Sequence, residues 1–81
     1  MRVMVKLFAV LRETAQTNEL ALDLPAGATA SAAVAALAEQ IPTVAKLLAR
    51  SACAVNQTYV PLDAALNDGD ELAIIPPVSG G

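Results

Sequence analysis

Glu71-Leu72-Ala73-Ile74-Ile75-Pro76-Pro77-Val78-Ser79-Gly80-Gly81 closes the chain as a hydrophobic strand, a stiff exit and a bare diglycine. Alternation puts Leu72 and Ile74 on a buried face and Ile75 on the other. Two consecutive prolines donate no backbone hydrogen bonds, so pairing must stop at Ile75 and the chain leaves on an extended, polyproline-like path. The chain thus divides into a domain over residues 1–75 and an extended tail over residues 76–81. The tail's six residues span up to roughly 20 Å, enough for a terminal carboxylate to enter another protein's pocket while the folded body stays outside. Gly80 and Gly81 carry no Cβ, so the backbone can pass a narrow channel and a nucleophile can reach the last carbonyl unhindered.

Working back from this strand, Arg2-Val3-Met4-Val5-Lys6-Leu7-Phe8 is the other strongly alternating stretch. Period two places Val3, Val5 and Leu7 in a core, and Arg2, Met4, Lys6 and Phe8 on the opposite face. Two large apolar side chains among cations mark that face as a contact surface. If the first and last strands run parallel at the centre of a sheet, Phe8 and Ile75 emerge at one end and on one outward face, beside the tail exit. Leu11-Arg12-Glu13-Thr14, a connection with room for a helical turn, lies there too.

The rest supplies the flanks. Glu19 to Leu24 alternates as a second strand with Leu20, Leu22 and Leu24 inward. Pro25-Ala26-Gly27 breaks it, and Thr29 is placed to cap a helix running to about Gln40, with Ala30, Val34, Leu37, Ala38 and Ile41 as its apolar stripe. Pro42 ends that helix. Thr43 to Ala49 reads as a short second helix carrying Val44, Leu47 and Leu48 inward. Ala52 to Val55 and Thr58 to Val60 flank an Asn56-Gln57 turn, and Pro61 assigns the second of them to an edge. Asn67-Asp68-Gly69-Asp70 is a turn into the last strand. The order of elements predicts an α+β fold, a mixed five-stranded sheet with one main helix packed on one face.

Composition excludes more than it assigns. With 81 residues there is one thin core, and the aromatics are only Phe8 and Tyr59. A net charge of −3 with no basic cluster argues against nucleic acid. No apolar run reaches the length of a membrane span, and Met1-Arg2 leads into a strand rather than a signal peptide, so a cytoplasmic protein is expected. The absence of histidine removes the commonest metal ligand and general base. Asp68, Asp70 and Glu71 are turn chemistry rather than a metal site, and no metal site is assigned. The lone Cys53, in an apolar run, is expected to be a buried inert thiol. No nucleophile and base can be paired, so the chain is not expected to be an enzyme on its own.

Leu7-Phe8-Ala9, Leu11-Arg12-Glu13, Val55-Asn56-Gln57, Asp68-Gly69-Asp70-Glu71 and Pro76-Pro77-Val78-Ser79-Gly80-Gly81 together resemble the small sulfur-carrier subunits of molybdopterin synthase, ubiquitin-like proteins of the β-grasp fold. The family often has aromatic residues just before the prolines, where this chain has Ile74 and Ile75. The resemblance implies that an adenylating enzyme couples the Gly81 carboxylate to AMP at the expense of ATP, and that a sulfur-donor protein converts the anhydride to a thiocarboxylate. It also implies that the tail enters the large synthase subunit and supplies sulfur to the molybdopterin dithiolene, in a heterotetramer of two small and two large subunits. No cofactor bound by this chain is implied. Gly81 and Gly80 would then carry the chemistry. Phe8, Met4, Arg12 and Ile75, with Pro76, Pro77, Val78 and Ser79 of the tail, would meet the partners. Three other readings use the same residues: a thiamine-pathway sulfur carrier, a ubiquitin-like protein modifier and an interaction domain with an inert tail.

Overall fold

The computed structural model describes residues 1–77; Val78, Ser79, Gly80 and Gly81 lie outside the described residues. The strands are β1 (Arg2–Leu7), β2 (Glu19–Asp23), β3 (Ala52–Val55), β4 (Thr58–Val60) and β5 (Glu71–Ile75), and the helices are α1 (Ala9–Ala15), α2 (Ala30–Gln40) and α3 (Ala45–Leu48), with a 3-10 turn at Pro42–Val44 before α3. The five strands form one sheet in the order β2-β1-β5-β3-β4. β1 and β5 are parallel, with Val5 opposite Leu72 and Leu7 opposite Ile74, while the other neighbouring pairs are antiparallel. The strand that leads to the tail is therefore the middle one, hydrogen-bonded on both sides.

Period two explains the core. Val3, Val5, Leu7, Leu22, Leu72 and Ile74 are fully buried beneath α2, joined by Leu11, Leu37, Val44 and Leu48 from the helices. Leu20 and Leu47 are only half-buried. Thr29 caps α2 through its hydroxyl, which accepts from the Ala32 N–H. The buried stripe of α2 is Ala30, Ala33 and Leu37, whereas Val34, Ala38 and Ile41 sit at its margin. The helix is rotated from the sequence expectation so that small alanines face the sheet and bulky Val34 lies to the side. Pro61 follows edge strand β4, as expected of a residue without an N–H.

Two features differ from expectation. The Leu11–Thr14 connection is a helix of two turns, α1, seeded by the fully buried Leu11 and closed by Gln16 in the left-handed region at φ 61°. The acidic turn also does more than reverse the chain. Asp70 is buried, and its carboxylate accepts from the Asn67 backbone N–H at 2.8 Å and from the Asn56 side-chain amide at 3.0 Å. The other end of that amide accepts from the Glu71 N–H at 3.0 Å, and the Arg2 N–H donates to Asp68 Oδ1 at 2.7 Å. One turn thereby fastens the start of β5 to both its neighbours. Asp70→Ala would leave two donors unpaired in a part-buried site, and a loss of about 2 kcal/mol is expected. Urea unfolding measures it, and a change below about 0.5 kcal/mol would show that the network is dispensable.

Candidate functional site at the tail exit

The site is the end of the sheet where β5 stops. The parallel register sets Leu7 beside Ile74, so Phe8 and Ile75 follow as neighbours on the face opposite the core. Phe8 is 44% exposed and Ile75 half-buried. Ala9 then takes φ 49°, a left-handed geometry that costs a non-glycine residue about 1 kcal/mol. That bend swings the chain off the sheet edge into α1. Phe8 is left projecting at the corner, and Arg12, exposed on α1, stands one helical turn beyond it. Pro76 is half-buried and Pro77 exposed, both outside the strand.

Not all the expected contact residues come together. Met4 shares the outward face, but it pairs with Glu71 at the other end of β5, four residues from Phe8 and so about 13 Å away. Between them lies Lys6, whose ammonium meets the Glu71 carboxylate at 3.3 Å. Phe8, Ile75 and Arg12 border the exit, while Met4 belongs to a separate part of the face. Gly80 and Gly81, expected to carry the chemistry, and Val78 and Ser79, expected to meet the partners, lie outside the described residues.

Sequence reasoning passed over the middle of this face. Ala73 and Ala54 alternate outward yet are almost buried, and with exposed Ala52 they make a smooth floor beside Ile75. Tyr59, paired with Ala54 and 69% exposed, stands at its far margin. The signal was available in Ala52-Cys53-Ala54, where period two turns both alanines out. Their small size makes them read as filler.

Charge on the face is modest. Arg2 and Asp23 pair at 3.1 Å; the hydrogen bond and the charge of Arg2 hold the Asp23 carboxyl below its usual range, and Asp23 raises Arg2 in turn. Both are well exposed, so the pair adds little to stability. Cys53 is buried, and burial raises its thiol above the usual value. It is protonated at neutral pH, and iodoacetamide is expected to label it at least tenfold more slowly in folded than in urea-unfolded protein. Labelling at equal rates would place the thiol at the surface.

A sheet whose first and last strands are parallel at its middle, with a helix across one face, defines a ubiquitin-like β-grasp protein. In this one the middle strand ends at the exit. The sequence pattern of the ThiS family matches residues 5–81. A molybdopterin synthase sulfur carrier subunit of Chlamydomonas reinhardtii is 42% identical, with all of both chains covered. The protein of the same name in Escherichia coli K12 is 40% identical over 98% of this chain and 99% of its own. Among solved structures, SAMP1 of Haloferax volcanii, a small archaeal modifier protein, superposes with a TM-score of 0.89 at 31% identity, with 100% of both chains covered. The chain belongs to the ThiS family and, within it, groups with the molybdopterin synthase sulfur carrier subunits.

Proposed function

We propose that this chain carries sulfur on the carboxyl group of Gly81 and delivers it inside a molybdopterin synthase. The observation that carries the reading is full-length similarity to sulfur carrier subunits, joined to a central strand that ends in two prolines outside the sheet. The chemistry follows from the poor electrophilicity of a carboxylate. Attack of the Gly81 carboxylate on ATP, in the site of an adenylating partner, releases pyrophosphate and leaves an acyl adenylate. A sulfur nucleophile at the sulfide level, furnished by a donor protein, then displaces AMP and leaves a thiocarboxylate.

In the large subunit the thiocarboxylate gives up its sulfur toward the dithiolene, and water restores the carboxylate. The carrier contributes an acyl group and a docking surface, so the enzyme is the assembly of small and large subunits. ATP belongs to the activating partner, and this chain binds no cofactor of its own. A heterotetramer in the cytoplasm is the working assembly. Among the described residues no helix is long and apolar enough to cross a membrane.

Intact-mass measurement of the protein isolated from cells tests this. A gain of about 16 Da, oxygen replaced by sulfur on a group carrier, localised to the C-terminal peptide, is the expected result. The likeness to a small archaeal modifier protein favours a second reading, attachment to lysines of other proteins. Isopeptide-linked conjugates without the mass gain would favour that reading. An unmodified Gly81 after incubation with the activating enzyme and ATP would remove both.

A further inference from the structure

The structure places the chain's cations unevenly. Among the described residues the two ion pairs engage Arg2 and Lys6, leaving Arg12, Lys46 and Arg50 with no carboxylate partner. All three are exposed, and all stand at the end where the tail leaves. Arg50 lies two residues before Ala52, the register partner of Ile75. Lys46 is one turn earlier on α3, and Arg12 is on α1, which packs against the 3-10 turn leading into α3. The opposite end carries Asp23, Asp63, Asp68, Asp70 and Glu71 against Arg2, the Met1 ammonium and Lys6, whose ammonium pairs with Glu71. Glu13, Glu19 and Glu39 bring the exit end close to neutrality, so the body is net acidic behind and carries its unpaired cations in front.

The fold itself does not use this arrangement. Lys46 on α3 and Arg50, two residues past its end, are like charges on neighbouring turns, each without a carboxylate partner among the described residues. α3 is too short for its dipole to offset much of their repulsion. A tail of six residues can carry its last carbonyl up to roughly 20 Å from the body, so these cations need not act on the reacting group. What remains is the protein surface that surrounds the tail as it enters.

We propose that Lys46 and Arg50, with Arg12 beside Phe8, dock against carboxylates rimming the tail-receiving mouth of the large synthase subunit. The acidic far end then disfavours a backward approach, so the encounter is tail-first. This deepens the sulfur-carrier reading and rests on it.

Stopped-flow association with the large subunit encoded in the same genome tests it, over salt from about 20 to 300 mM. The rate for the unaltered protein should fall with salt. Lys46→Glu/Arg50→Glu should associate about tenfold more slowly at low salt and converge with the unaltered protein at high salt, with dissociation little changed. Lys46→Gln/Arg50→Gln, which adds no new charge, should fall between and guards against a folding defect in the reversal. Equal rates for both variants and the unaltered protein, or a salt-independent rate for the latter, overturn the docking alone. Failure of the unaltered protein to bind the large subunit overturns the sulfur-carrier reading and this inference with it.

Discussion

Removal of Gly81 is expected to abolish sulfur transfer while leaving the fold and the docking of the body intact. The variant's carboxylate sits on Gly80, still free of any Cβ, but about 3.5 Å short of its former reach. A nucleophile needs its target at roughly 3 Å, and misplacement by about 1 Å already costs about a hundredfold. The expected loss is therefore at least about a hundredfold in an assay with the activating enzyme, ATP, a sulfur donor and the large subunit. Extending the chain by one alanine should overshoot with a similar loss. The body should not respond, because β5 ends at Ile75 and its last fully buried side chain is Ile74. Cys53→Ala provides the contrast, since its thiol is buried on the core face and burial raises it above the usual value. Full activity in the Gly81 deletion, or its loss in a folded Cys53→Ala protein, would move the chemistry away from the tail.

Much of this architecture was legible from punctuation and period. Val3, Val5 and Leu7 alternate without a break, Pro42 and Pro61 end elements by their missing N–H, and Asn56 marks the hairpin, so the strands and α2 fell where expected. In that hairpin Gln57 also adopts the left-handed region, at φ 73°. The turn joining β3 and β4 fixes its backbone, and the side chain carried no signal of it. α1 was hidden for a different reason. A two-turn helix with a single fully buried residue, Leu11, has no period to read, and its start depends on a strained Ala9 that no sequence rule favours.

The role of Asp70 was illegible because its amide partner, Asn56, lies 14 residues away, and a carboxylate in a turn looks the same whether solvated or bonded. At the candidate site the alternation correctly gave a shared outward face for Met4, Phe8 and Ile75, but a shared face is not adjacency. Four residues of strand and the Lys6–Glu71 pair separate Met4 from the other two.

That separation sharpens the second large effect. Phe8→Ala is expected to weaken binding to the large subunit by about thirtyfold, the effect of removing a central aromatic anchor worth about 2 kcal/mol. Met4→Ala, displaced along the strand, should cost much less. The fold should tolerate the Phe8 change, because the ring is 44% exposed and the residue caps α1 only through an extended backbone, with no side-chain bond. A stability loss under about 1 kcal/mol is expected. Titration calorimetry against the large subunit and a thermal melt of the free protein separate the two quantities. Unchanged affinity would remove Phe8 from the interface and shift attention to the alanine floor and Tyr59. A collapse of the melt would mean that the ring packs into the body in solution. Equal losses for Phe8→Ala and Met4→Ala would mean that the partner covers the whole outward face, Lys6 and Glu71 included, rather than gripping the corner where the tail leaves.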